Sequence, residues 1–374
     1  MRSFRREIGA MKITRLEAIP FRVPLLAPFK WGLAGYMEAA EHVLVKVYTD
    51  EGVVGFAEAP PRPTIYGESL ASILFAIRTW FDPMISGLDP AHNERIWAKL
   101  EAIPGNLTAK GSIDLACYDA VARYRGVPLW EMLGGSSNRL PLSWMLGIRS
   151  VSEMVREAEG IRAKGIKAFK VKVGLEPEKD VQVIKALREN LGPDVLLYID
   201  ANMLYDVPTA IRTIRKMEEY GLAYVEEPLP VWNSRGRLKV AEAISIPVMG
   251  DESVFTPQDV AREIDLGAIG IISIKTPRTG YTLSMKIIHL AETAGIPCLM
   301  GTQGETGVGT LVSAQFGAAR RNVSYPSEIS FFLFMKDDLL KEPVPFKDGF
   351  IELSNEPGNG AVIDEGKLKK YRLD

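Results

Sequence analysis

Six charged residues stand where short apolar runs of this chain stop: Lys170, Lys172, Asp200, Glu226, Asp251 and Lys275. From Lys172 onward they lie 28, 26, 25 and 24 residues apart, the length of one strand, one helix and two short connections. Side chains a whole strand–helix unit apart meet in space when the units close on themselves and every strand end opens on one rim. The spacing therefore predicts a closed barrel in which three carboxylates and three lysines share a mouth. Carboxylate oxygens suit a hard divalent cation, and a lysine beside a cation has its pKa lowered toward that of a working base.

The rest of the chain fits that plan. Eight apolar runs begin near Leu140, Phe169, Leu196, Tyr224, Val248, Ile271, Pro297 and Val323. Between them lie segments of helical periodicity such as Val151 to Lys164, Pro208 to Tyr220 and Pro257 to Leu266, several of them closed by glycine. Upstream the texture differs. Alternating runs from Met11 to Pro24, Glu41 to Tyr48 and Val53 to Glu58 predict an antiparallel sheet, and Ser69 to Trp80, Asn93 to Leu100 and Gly111 to Tyr124 predict helices. The expected fold is α/β: a (β/α)8-type, TIM-like barrel over 136–347 with an N-terminal α+β capping domain over 11–135. A C-terminal segment, 348–374, is expected to return to the capping domain. The Gly- and Pro-containing stretch from Pro24 to Ala40 predicts a substrate-covering loop, and residues 1–10 a frayed extension.

Composition narrows the partners. A formal net charge of -2 over 374 residues lacks the cationic excess that binds phosphate backbones, so nucleic acid is not expected. No stretch has membrane-spanning length and no signal-peptide core follows the basic start, so a cytoplasmic location is expected. Cys117 and Cys298, the only cysteines, read as structural thiols. A small-molecule carboxylate substrate and a homo-oligomer are the expected partners.

Period-two alternation puts Lys170 and Lys172 on one face of their strand. Lys172, nearer the strand end, reads as the base, and Lys170 as the charge that tunes it or holds a substrate carboxylate. Asp200, Glu226 and Asp251 together would repel one another without a cation, and Mg2+, with Mn2+ as the alternative, suits such a site. Glu226 is preferred to its neighbour Glu227 because it stands nearer the strand. Asn202 and Glu252 are expected to support the ligands. Lys275, four barrel positions from the second strand, should face Lys172, so that a carbon between them could lose a proton from either side. The segment Gly301 to Gly307 lacks the lysine of a nucleotide loop. His42, His92 and His289 stand at no barrel strand end.

At these residues the chain resembles the enolase superfamily, and within it the muconate lactonizing enzyme subgroup, from Met11 nearly to the end. The resemblance implies that Asp200, Glu226 and Asp251 hold Mg2+, that Lys172 and Lys275 are the acid/base pair, and that Lys170 opens the Lys-x-Lys motif. The mandelate racemase subgroup expects a histidine after the seventh strand, where this chain reads Met300-Gly301-Thr302. Dipeptide epimerases carry Asp-x-Asp after the eighth strand, where it reads Ser327-Glu328-Ile329. An acid near Glu328 is like that of muconate cycloisomerases, so a cycloisomerase-like isomerase, abstracting the proton α to a carboxylate through an enolate, is the leading expectation. Trp31, Tyr36 and Tyr66 could instead cage a cationic amino-acid derivative, which keeps racemisation or epimerisation as the alternative. Dehydration of a hydroxy acid through the same enolate, and a non-catalytic binding role, rank below these.

Overall fold

The computed structural model describes residues 11–33 and 35–374, so the extension assigned to residues 1–10 lies outside the described part. The capping sheet is antiparallel in the order β1 (Ile13–Trp31), β2 (Gly35–Thr49) and β3 (Val54–Ala59). The stretch from Pro24 to Ala40 is not a loop but the arm of the β1–β2 hairpin. Pairing resumes past a register shift between Pro24 and Phe29, with Phe29 opposite Met37 and Trp31 opposite Gly35. The glycine and prolines that suggested a loop have local uses instead. Pro28 lies in the unpaired bulge, where no ladder donor is needed. At Gly35 a Cβ would stand 2.3 Å from the Trp31 ring.

The helix Leu107–Arg125 is buried along most of its length because it lies between two layers. Its small residues allow both contacts. A Cβ at Gly55 would stand 2.1 Å from the Ala116 carbonyl oxygen, and one at Gly111 2.2 Å from that of Pro277 on the barrel helix Thr276–Thr293. Between these layers sits Asp114, which accepts from Trp97 Nε1 (2.8 Å), the backbone N–H groups of Tyr281 (2.7 Å) and Thr282 (2.9 Å), and the Thr282 hydroxyl (2.7 Å). All four partners are donors, so Asp114→Asn would aim an amide N–H at another N–H or O–H. A loss of about 2–4 kcal/mol in denaturant unfolding is expected; a change below about 0.5 kcal/mol would contradict this role. Burial pushes the Asp114 carboxyl up to about 6, opposed most by its hydrogen bonds from Thr282. The folded state then binds this proton more tightly than the unfolded state, so this group's contribution to stability falls as pH rises from about 4 to about 6.

The barrel begins later than its first apolar run suggests. Leu140 belongs to a short strand β4 (Arg139–Pro141), and the first barrel strand is β5 (Trp144–Leu146). β6 (Ala168–Lys172), β7 (Leu196–Asp200), β8 (Leu222–Glu226), β9 (Val248–Gly250), β10 (Ile271–Ile274) and β11 (Cys298–Met300) follow in spatial order, all parallel. No strand forms at Val323, where the eighth was expected. An irregular segment closes the gap instead, hydrogen-bonding to both neighbours: Cys298 N to Asn322 O and Ser143 N to Ser327 O at 2.8 Å each, and Glu328 N to Met300 O at 2.7 Å. Pro326, which has no N–H to donate, interrupts regular pairing there. The result is the (β/α)8-type architecture with one irregular stave.

Barrel helices start on sequence-encoded caps. Ser150 with Glu153 and Thr256 with Asp259 form capping boxes for Val151–Arg162 and Pro257–Leu266. The tail touches both layers: β12 (Phe346–Lys347) and β13 (Phe350–Glu352) form a hairpin that pairs with β4, and Leu373 N then donates to Pro20 O on β1 at 2.9 Å. The hairpin's turn spans the boundary placed at 347/348. Among the described residues no helix is long and apolar enough to cross a membrane.

Candidate active site

Register brings the strand ends level. Lys172 pairs with Asp200 and Asp200 with Glu226 across β6, β7 and β8, while Asp251 and Lys275 directly follow β9 and β10. Alternation then turns Lys170, Tyr198 and Tyr224 inward one layer below. Tyr198 and Tyr224 stack at 4.3 Å between ring centroids and, with Met249, Ile271 and Leu299, form the apolar floor. Backbone strain gathers at the rim, where Asn202, Met203 and Glu227 adopt φ of 42°, 67° and 34°.

All six strand-end residues are buried. Lys170 Nζ lies 3.0 Å from Asp200, 2.5 Å from Glu226 and 2.9 Å from Glu328. Lys172 Nζ lies 2.5 Å from Asp200 and donates to Asn202 Oδ1 at 2.9 Å. Lys275 pairs with Asp251, whose other oxygen accepts from Arg278 at 2.8 Å. Glu227 points elsewhere: it accepts from Asp251 N (2.7 Å) and from Ser253 N (2.8 Å) and faces Arg237. Asn202 Nδ2 reaches Glu252 at 3.4 Å.

Neighbouring carboxylates dominate the electrostatics of Lys170 and Lys275. Burial alone would lower Lys170, but Asp200, Glu226 and Glu328 outweigh it and hold its ammonium well above the usual range. Burial is likewise overcome at Lys275, chiefly by Asp251. The acids divide. Asp200 falls to about 2 because Lys170 and Lys172 overcome its burial, whereas burial and the charges of Asp200 and Glu328 drive Glu226 well upward. Glu252 rises to about 8 through burial and then Asp251 and Asp200.

Among the described residues no three His, Cys, Asp or Glu side chains are already arranged to hold a metal ion; ammonium groups lie between the carboxylates instead. The donor set nevertheless fits a divalent cation. Three hard carboxylates stand on adjacent strand ends, and neither oxygen of the fully buried Glu226 has a hydrogen-bond donor, since Lys170 approaches it out of line. Asp200, Glu226 and Asp251 are the residues that could hold such an ion.

Above the rim lies a cavity of about 480 Å³, counted with its open mouth. Lys170, Lys172 and Lys275 line it from the barrel, Phe29, Trp31 and Met37 from the hairpin arm. Of the substrate-contact candidates only Trp31 is in this wall. Tyr36 is 54% exposed and bonds to Glu38 on the outer side of the arm. The Tyr66 hydroxyl is taken up by Gln303 Nε2 at 2.5 Å, with Arg278 at 3.5 Å. Glu328 sits beneath the cavity, accepting from Lys170 and from Tyr198 (3.1 Å). The three aromatics therefore form no cage for a cation, because the alternation of β2 turns Tyr36 outward.

Sequence reasoning missed Arg278, whose signal is its place three residues after Lys275 at a helix start. It also missed Phe331 of the apolar wall, whereas Phe29 and Met37 fall within the Pro24–Ala40 stretch expected to cover the substrate. At Gly301, where a Cβ would stand 2.7 Å from Lys275 Cε, absence of a side chain is what admits the lysine.

Comparison with known proteins agrees with this architecture. Residues 16–134 match the model of the mandelate racemase/muconate lactonizing enzyme N-terminal domain, and residues 153–367 that of the enolase C-terminal domain-like family. An L-Ala-D/L-Glu epimerase of Bacillus subtilis is 34% identical over 94% of this chain and 97% of its own. The structure of muconate lactonizing enzyme from Mycobacterium smegmatis complexed with muconolactone superposes with a TM-score of 0.94 at 41% identity, covering 97% of this chain and 100% of that one. A dipeptide epimerase from Enterococcus faecalis V583, complexed with Mg and L-Leu-L-Tyr, has a TM-score of 0.90 at 30% identity over 94% of this chain and 99% of its own.

Proposed function

This chain belongs to the mandelate racemase/muconate lactonizing enzyme family of the enolase superfamily, which works with a divalent metal and in which its named relatives are isomerases, and we propose that it is a Mg2+-dependent cycloisomerase of the muconate type. The observation that carries the proposal is the placement of Lys172 and Lys275, from β6 and from the end of β10, on the wall of one cavity beside three buried carboxylates. Asp200, Glu226 and Asp251 would hold the metal. Bound there, Mg2+ supplies positive charge beside the substrate carboxylate and so lowers the cost of the enolate's second negative charge.

The protein's own groups do the proton work. In the lactone-opening direction, Lys172 or Lys275 takes the proton α to the free carboxylate, and the electron pair left on that carbon forms the enolate. Its collapse makes the new C=C bond and breaks the C–O bond of the lactone, releasing the second carboxylate; closure runs the same steps backward. Lys170, anchored by Glu328, which in turn accepts from Tyr198, adds fixed charge under the reacting end. Phe29, Trp31, Met37 and Phe331 give the cavity an apolar side that limits water beside the charged groups, which strengthens their interactions.

Epimerisation of an amino-acid derivative is the second reading, favoured by lysines from two sides that could serve both faces of one carbon. Against it stand the missing cation cage and the buried, engaged state of Ser327, Glu328 and Ile329. Turnover by the Mg2+-loaded protein separates the two. Followed by NMR, kcat/KM for cis,cis-muconate and muconolactone is expected to exceed that for L-Ala-L-Glu and L-Leu-L-Tyr by about 100-fold or more. Faster epimerisation of either dipeptide would transfer the assignment to the second reading.

A further inference from the structure

The carboxylates at the rim are not oriented by the same means. Asp200 takes the backbone N–H of Asn202, from its own loop, on Oδ1 at 2.8 Å. Asp251 depends instead on Arg278, 27 residues further along the chain, in the turn between Lys275 and the kink at Gly280, where φ is 59°. Arg278 is 1% exposed and does not line the cavity, so whatever it does for the chemistry it does through a neighbour.

Its two amino groups grip Asp251 at two points. Nη1 donates to Oδ1 at 2.8 Å, and Nη2 donates to the Asp251 carbonyl at 3.1 Å and to the Ser273 carbonyl at 3.2 Å. The fork therefore fixes the carboxylate relative to its own backbone and to β10, and it engages Oδ1, while Oδ2 is the oxygen that meets Lys275. The guanidinium is itself held in place. Its Cζ lies 4.6 Å from the centroid of the Phe255 ring, Phe255 packs edge-on against Tyr66 at 5.1 Å between centroids, and Nη1 lies 3.5 Å from the Tyr66 hydroxyl. Because Tyr66 comes from the capping domain, both domains brace the arginine that orients Asp251.

We propose that Arg278 is a positioning residue that turns the Asp251 carboxylate so that Oδ2 is the oxygen offered to the metal. Its charge alone would act the other way, since a guanidinium competes with a cation for the same carboxylate. Mg2+ demands near-octahedral ligand positions, whereas Ca2+ accepts varied ones, so a carboxylate left free to swing costs Mg2+ more than Ca2+. This rests on the reading of Asp251 as a metal ligand.

Calorimetric titration of the metal-free, full-length protein with Mg2+ and with Ca2+ tests it. Arg278→Met is expected to weaken Mg2+ binding by about 30-fold and Ca2+ binding by about threefold or less, so that the Mg2+/Ca2+ affinity ratio falls about 10-fold. Arg278→Lys, which keeps the charge without the fork, is expected to lower that ratio about threefold. Loss of a mere counter-charge would tighten both ions, and a general loosening of the fold would weaken both alike; either leaves the ratio intact and overturns the proposal. If Arg278→Met does not fold, Arg278→Lys decides, and a ratio equal to that of the wild type overturns the proposal. Failure of the metal reading would look different: the wild type itself would bind no Mg2+, and the proposal would fall with it.

Discussion

Either Lys172→Ala or Lys275→Ala, whichever removes the lysine that transfers the α-proton, is expected to lower kcat by about 10³-fold. The surrounding charges make this a clean test. Without Lys172, Asp200 keeps Lys170 at 3.0 Å; without Lys275, Asp251 keeps Arg278 at 2.8 Å. Neither variant therefore strands an unpaired buried carboxylate, the usual route to a severe loss of stability. Thermal unfolding within a few degrees of the wild type, alongside the lost turnover, is the expected pair of results. Full activity in either variant would remove that lysine from the mechanism.

The second large effect concerns the metal. Glu226→Gln is expected to weaken Mg2+ binding by roughly 100-fold or more, since it removes the charge of one of the three carboxylates proposed to hold the ion, the one whose oxygens accept no aligned hydrogen bond. The same change should not destabilise the metal-free protein. Burial and the charges of Asp200 and Glu328 already oppose ionisation of Glu226, so a neutral amide relieves repulsion while Lys170 keeps Asp200 and Glu328 as partners. Calorimetric titration with Mg2+ and the unfolding temperature with and without the ion measure both halves. Unchanged Mg2+ affinity would place the metal elsewhere. A large drop in metal-free stability would make Glu226 a structural residue.

Charged residues ending apolar strands were readable because parallel barrel strands are otherwise hydrophobic and repeat at a near-constant length. That regularity gave the barrel, the level of Lys172, Asp200 and Glu226, and the shared face of Lys170 and Lys172. It failed where the chain departs from the repeat. Pro326 breaks the ladder of the eighth stave, and Leu140 belongs to β4 rather than to the barrel. The hairpin arm read as a loop because glycine and proline signal turns, whereas here Gly35 admits the Trp31 ring and Pro28 occupies a bulge. Arg278 and Glu328 take their positions from contacts between units remote in sequence. Lys170 and Glu328, 158 residues apart, illustrate a pairing that no local pattern encodes.

The central claim is that a lysine of this cavity exchanges the proton α to a substrate carboxylate, and hydrogen–deuterium exchange measures it directly. Muconolactone incubated with the Mg2+-loaded protein in deuterated water should acquire deuterium only at the carbon α to its free carboxylate, and Lys172→Ala or Lys275→Ala should abolish the incorporation. Turnover without α-deuterium, or incorporation undiminished in both variants, would contradict the account.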